Sequence, residues 1–281
     1  MLLMMAACLE CDAVVVTVCS MNDPTSQECQ PEHELDSAAL HLPLKIMLND
    51  DHIVVAVKPA GMSVHRNADD RISDCYLLQR LRDQTGDWIF PIHRLDRATS
   101  GLVVFAKSPE IAAAVSAQFA ARQVLKQYVA LVRGHTKLTD SMPYPLISMR
   151  GRRKPNGHPA RQPQEALTEF ETVKSWTLPY PSGPYETSRC SLVHVFPKTG
   201  RWHQIRRHFN YHSYPVIGDS SHGDTRVNRI FHDRLGIQRL MLMALFLKFV
   251  HPITNQPIHL ECELDSDFQE AITQINANAI S

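Results

Sequence analysis

Ile92-His93-Arg94-Leu95-Asp96-Arg97-Ala98-Thr99-Ser100-Gly101 gathers a carboxylate, two guanidiniums, an imidazole and two hydroxyls, then runs straight into the apolar Leu102-Val103-Val104-Phe105-Ala106. The apolar half reads as a short buried strand and the polar half as the turn that feeds it. A turn held by a rigid strand is a normal place for chemistry, because the strand fixes position while the turn offers functional groups. Asp96 is the candidate reactive group. An Asp that only accepts hydrogen bonds from its own turn and pairs with Arg94 or Arg97 is the structural alternative, and this stretch alone leaves both open.

Upstream, Ile53-Val54-Val55-Ala56-Val57 is β-branched and short, a buried strand ended by the turn Pro59-Ala60-Gly61. Ser73 is expected to cap a helix over Asp74 to Gln84, stopped by Gly86. Downstream, Ser108-Pro109-Glu110 combines a capping hydroxyl, a first-turn proline and an acid at the positive dipole end, so a helix is expected from there to about Arg122. A strand is expected over Lys126 to Val132. A long Pro- and Gly-containing loop should then run from Gly134 to Gln164, carrying Arg150, Arg152, Arg153, Lys154 and Arg161. Strands follow at Leu167 to Lys174 and Ser191 to Phe196, then a mostly helical basic segment from Thr199 to His212. A strand and turn at Pro215 to Asp219, a helix at Arg226 to Leu235, a strand at Leu240 to Val250 and a helix at Asp267 to Asn276 capped by Ser266 complete the reading. There is no internal repeat, no Gly-rich dinucleotide loop, no phosphate-binding GxxxxGK[ST] and no GxSxG elbow. An α+β domain around a mixed sheet remains.

Composition bounds the function. The chain carries 29 basic and 29 acidic residues, but both ends are purely acidic, which leaves 29 basic against 17 acidic between residues 45 and 260. That middle suits a polyanionic partner. Residues 1–43 read as an acidic, poorly ordered extension and 44–281 as the folded catalytic domain. The seven cysteines, at 8, 11, 19, 29, 75, 190 and 262, form no disulfide framework and suit a reducing, cytoplasmic setting. The N-terminal apolar run lacks a basic flank and is broken by Glu10 and Asp12, so neither a signal peptide nor a membrane span is expected.

Two further segments point the same way as Asp96. Lys126-Gln127-Tyr128-Val129-Ala130 places an aromatic beside a cation on a strand, where core packing is the plainer reading. Lys198-Thr199-Gly200-Arg201-Trp202-His203-Gln204-Ile205-Arg206-Arg207-His208 masses cations and amide donors with no acid among them. Together with His93 to Leu102, these resemble the three ordered motifs of the RluA-type pseudouridine synthases, over roughly residues 44 to 265. Lys58-Pro59-Ala60-Gly61, His65-Arg66, the run from Arg206 through Pro215 to Asp224, and Gln238 to Leu242 resemble most the C-type subgroup that modifies uridine 65 of tRNA. Ala98 departs from the pattern, since relatives often carry proline there.

The resemblance implies a pseudouridine synthase fold, with a mixed, largely antiparallel sheet flanked by helices. It implies that Asp96 acts on the target nucleotide, that Tyr128 packs on the uracil and that Arg206 pairs with Asp96. Arg94 would help displace the base, and Lys126, Arg201, His203 and Arg207 would contact RNA. No cofactor is implied, since the isomerisation is redox-neutral. The expected partner is tRNA, with ribosomal RNA as the alternative, and the expected state is a monomer with no membrane association. The chemistry fits these groups. A neighbouring cation keeps a carboxylate charged, an aromatic face holds a detached base flat, and a long side chain fills the gap a flipped base leaves. Three rivals stay open: an RNA-binding protein without catalysis, a hydrolase pairing Asp96 with His93, and a metal site from His203, His208 and His212.

Overall fold

The computed structural model describes residues 42–66, 76–147 and 162–280. The extension before residue 42, the Ser73 cap and the five loop cations expected between Arg150 and Arg161 lie outside the described residues.

In chain order the elements are strands β1 (Ile46–Asn49) and β2 (Ile53–Lys58), helix α1 (Leu77–Thr85), strands β3 (Phe90–Pro91) and β4 (Ser100–Ala106), helix α2 (Pro109–Ala120) and strand β5 (Leu125–Arg133). Then come strands β6 (Thr139–Met142), β7 (Leu146–Ile147), β8 (Pro163–Gln164), β9 (Thr168–Leu178) and β10 (Ser188–Pro197). Helices α3 (Gln204–Tyr211) and α4 (Thr225–Leu235), strands β11 (Leu242–Val250) and β12 (Pro257–Glu261) and helix α5 (Ser266–Asn278) complete the chain. The main sheet runs β1-β2-β4-β11-β5-β10-β9-β6, with β3 added to β4 and β12 to β11. Among the described strands only the β4–β11 pair is parallel, so the fold is α+β on a mixed, largely antiparallel sheet, as expected.

The sheet buries both faces, which explains why its central strands are continuously apolar rather than alternating. On one face Ile53, Val55, Leu102 and Val104 join Phe231 of α4 and Phe268 of α5. On the other, Val54, Ala56, Val103 and Phe105 meet Leu77 and Leu81 of α1. Farther along, Ile205 and Phe209 of α3 pack on Ala130, Val193 and Val195. Gly101 has φ +112° and lies so close to β11 that a Cβ there would sit 2.2 Å from the Ala244 carbonyl oxygen. No side chain fits, and this is how β4 comes in beside β11 with the polar turn at its mouth.

Several expectations are corrected. The segment from Gly134 to Gln164 is not a bare loop: β6 pairs with β9 and β7 with β8. Pro215 to Asp219 forms no strand beyond a single bridge from Val216 to Val132, because the left-handed Gly218 turns the chain away at once. The cap of α5 is Asp265, whose carboxylate accepts from the Phe268 N–H at 3.0 Å, while Ser266 is already helical. Strands β1, β3 and β12 are edge pairings whose short or mixed sequences carry no strong period. The cap of α2 is as read, with Ser108 Oγ accepting from the Ile111 N–H at 3.3 Å. No described helix is long and apolar enough to cross a membrane.

Candidate active site

The turn of Asp96 is held from below by a buried cation. Lys58 ends β2 directly opposite Gly101, and its ammonium is fully buried. It donates to the carbonyls of Pro59 and Met62 at 2.8 Å and of Arg97 at 2.9 Å, spending all three protons on backbone. Burial pushes Lys58 down to about 7, with Asp96 opposing the fall and Arg239 and Arg97 adding to it. Arg97 closes the clasp: its Nε donates to the Gly61 carbonyl at 2.8 Å, and the Gly61 N–H returns a bond to the Arg97 carbonyl at 2.9 Å. Ser100 Oγ donates to Asp265 at 2.7 Å, which ties the other end of the turn to the cap of α5.

Asp96 opens into a cavity of about 190 Å³ lined by Ser63, His65, Arg94, Ala98, Trp202 and Arg206, among others. Its side chain keeps 23% exposure. Arg206 Nη1 stands 3.7 Å and His203 Nε2 3.8 Å from Asp96 Oδ2. The expected pairing of Arg206 with Asp96 is therefore loose, and a tighter partner takes the guanidinium. Arg206 Nε and Nη2 form a fork onto both oxygens of Asp219 at 2.8 and 2.7 Å, with both side chains almost fully buried. Burial raises the Asp96 carboxyl above its ordinary range. Arg206, Arg94 and Lys58 pull it back without cancelling the rise, and Asp219 adds to it. The expected neighbouring cation is in place, but desolvation outweighs it and the cations beside it.

Tyr128 sits on β5 between Val195 of β10 and Ala244 of β11, half-buried, with its phenol pushed up by burial and further by Asp96. Such a phenol remains neutral and can act as a face or a donor, not as a base. Lys126 Nζ donates to the Thr199 carbonyl at 3.2 Å and is held down to about 8 by burial, so it ties β5 to the start of the third motif. Gln204 completes that tie, accepting from Thr199 Oγ1 at 2.6 Å and the Arg201 N–H at 2.9 Å. Arg201 Nε donates to the Glu165 carbonyl at 2.9 Å, and Arg207 Nη1 to the Ile147 carbonyl at 3.0 Å. Of the residues expected to contact RNA, Arg94 and His203 line the cavity, whereas Lys126, Arg201 and Arg207 flank it and brace its loops.

The rival constellations do not assemble. His93 Nε2 accepts from the Val104 N–H at 3.1 Å, its ring stacks on Phe119 at 4.7 Å, and burial drives it down to about 3. It anchors the turn to β4. His208 commits one ring nitrogen to Thr168 Oγ1 and the other to the Tyr144 carbonyl, both at 2.9 Å, which leaves no lone pair for a metal shared with His203. Reasoning from residue types alone missed Asp219 and gave Lys58 no role. Their signals were an acid after Gly218 and a lysine ending an apolar strand, neither of which names a partner.

The family described as RNA pseudouridylate synthase matches residues 52–211, a span that holds all three motifs. The chain belongs to that family. Among curated relatives, the tRNA pseudouridine synthase C of Haemophilus influenzae is 41% identical over 232 residues, covering 82% of this chain and 97% of the relative. The enzyme of the same name from Vibrio cholerae is 39% identical over 232 residues, covering 82% and 95%. Among solved structures, human RNA pseudouridylate synthase domain containing 1 aligns with TM-score 0.60 at 25% identity, over 79% of this chain and 83% of that one. Human RNA pseudouridylate synthase domain containing 4 aligns with TM-score 0.62 at 23% identity, over 83% and 93%, and bears on the fold. The RluA-type resemblance read from three motifs and the pseudouridine synthase fold it implied are both borne out.

Proposed function

We propose that this chain isomerises a uridine to pseudouridine in tRNA, with Asp96 as the reacting carboxylate and uridine 65 as the target. The observation that carries the reading is the placement of Asp96: a partly exposed carboxylate at a polar cavity, with Arg206 at 3.7 Å held by a second carboxylate. The relatives' names support tRNA as the substrate, and the subgroup run from Arg206 to Asp224 supports the position.

The reaction breaks the N1–C1′ bond, turns the uracil and joins C5 to C1′, while one proton leaves C5 and one arrives at N1. Atoms and electrons balance without a redox partner or water, so no cofactor is called for. Arg206 supplies fixed positive charge where the carboxylate acts, and its fork to Asp219 keeps that charge from wandering. Tyr128 offers a neutral face on which the detached ring can turn. Arg94, exposed at the rim, fills the space left by the flipped nucleotide. We take residues 44–281 as the catalytic domain, acting as a monomer in the cytoplasm, with residues 1–43 as an extension to it.

Pseudouridine mapping of tRNA and ribosomal RNA lacking the modification, after incubation with wild type and Asp96→Asn, tests the reading. One new site in tRNA that disappears with Asp96→Asn is the expected result. A mark confined to ribosomal RNA overturns the substrate, and a mark that survives Asp96→Asn overturns the residue.

A further inference from the structure

Two imidazoles stand behind the carboxylate with no part in the chemistry above. Arg206 Nη1 reaches His203 Nε2 at 3.3 Å, and the same nitrogen lies 3.8 Å from Asp96 Oδ2. A guanidinium has only donors, so Nε2 accepts, and in a neutral ring the proton then resides on Nδ1. His203 Nδ1 faces His222 Nε2 at 2.9 Å. That nitrogen must accept, which leaves the proton of His222 on its own Nδ1. One donor and one acceptor thus fix two tautomers in series.

The frame around the pair is rigid. His203 holds a left-handed backbone at φ 49° just before α3. Its ring stacks on Trp202 at 3.6 Å between centroids and meets His222 edge to face at 5.1 Å. Asp219 Oδ1 accepts from the backbone N–H groups of Ser221 and His222, both at 2.9 Å, while gripping Arg206. One carboxylate therefore places both the cation and the outer imidazole.

We propose that His222 is a positioning residue: by accepting from His203 Nδ1 it keeps the Nε2 lone pair of His203 facing Arg206 and Asp96, so Arg206 is aimed between them and no imidazole N–H competes for the carboxylate. His222 acts this way on the reaction only if Asp96 is the reacting group, as proposed above. The charged and titratable groups facing the pair are Asp96 from the turn before β4, Arg206 and Arg207 from α3 and Asp219 from the following loop. Lys58 lies beneath Asp96, and Arg94 and His65 stand on the cavity wall. Burial, with Arg206 adding, holds both imidazoles below their usual range, in keeping with two neutral rings.

His222→Leu and His222→Gln separate positioning from bulk structure. Leucine fills space but accepts nothing, so the Nδ1–H of His203 loses its partner and we expect the proton to pass to Nε2, giving up the contact with Arg206 for Asp96 at 3.8 Å, whereas the glutamine carbonyl accepts as His222 does. For His222→Leu, kcat on tRNA should fall about tenfold with KM within about twofold. The acid limb of kcat should shift to lower pH by about half a unit, because the carboxylate gains a donor. His222→Gln should stay within about threefold of wild type and keep its pH profile. In ¹⁵N spectra of histidine-labelled protein, His203 should be the Nδ1–H tautomer in wild type and in His222→Gln, and Nε2–H in His222→Leu. Equal losses in both variants with an unmoved acid limb, or a His203 tautomer indifferent to His222, overturn the assignment. If wild type leaves tRNA unmodified, the functional reading fails instead, and the spectra still decide the tautomer.

Discussion

Asp219 touches the proposed chemistry only through Arg206, which it holds with both carboxylate oxygens. It is buried against Arg206 with its carboxyl pKa held below the usual carboxylate range, burial being outweighed by the fork to Arg206 and by two backbone N–H donors. Removing one member of such a pair leaves the other buried and uncompensated, at a cost of about 3–5 kcal/mol. Asp219→Asn should lower the denaturant midpoint accordingly and free Arg206 to swing toward Asp96 at 3.7 Å. Equilibrium unfolding compared with wild type checks the first effect, and a fall in kcat exceeding any change in KM checks the second. Asp96→Asn should behave oppositely, losing at least about a thousandfold in kcat while leaving the unfolding free energy within about 1 kcal/mol of wild type, since it removes a charge that burial disfavours.

Elements fix the site through backbone approach and through caps, and the two are separable. Gly101→Ala puts a methyl carbon 2.2 Å from the Ala244 carbonyl oxygen at a φ of +112°, so β4 and β11 must part. The expected outcome is a loss of more than about 2 kcal/mol and a displaced Asp96 turn, read as a lower melting temperature together with lost activity. Ser108→Ala removes the cap of α2 on the far side of β4, bonded at 3.3 Å to the Ile111 N–H. It should cost about 1 kcal/mol and leave turnover unchanged, which a melting curve and a rate measurement would show. The contrast follows from position: β4 carries the turn, whereas the cap of α2 lies at the opposite end of that helix from Phe119, which stacks on His93.

At the scale of the whole molecule, many buried bases tie stability to pH. His93 and His203 are each held down to about 3, and His208 and His222 are also lowered, burial being the first cause in all four. Their folded-state affinities for protons lie below the unfolded value of about 6.5, so the unfolded chain takes up protons first as the solution is acidified. Their contribution to stability is complete above about 6.5 and is lost progressively as pH falls toward 3. Asp219 and Asp50, both lowered, add a loss at more acid pH, while Asp96, raised, opposes it. The melting temperature should therefore fall between pH 7 and pH 5, before ordinary carboxylates titrate, and less steeply in His93→Gln. A flat profile over that interval contradicts this.

The sequence by itself determined the central strands, the capped helix α2 and the family, because apolar runs, cap residues and three ordered motifs are local signals that need no partner. It singled out Asp96 because it is the carboxylate of a polar turn feeding a buried strand, and Tyr128 and Arg206 because they lie in those motifs. Only the tertiary structure decided which charges meet. Arg206 grips Asp219 and stands 3.7 Å from Asp96, Lys126 turns to a backbone carbonyl rather than outward, and Lys58 spends its ammonium under the turn. These are pairings between distant segments, fixed by where the sheet brings strand ends together and by the cost of burying a charge without partners. A list of residue types records neither.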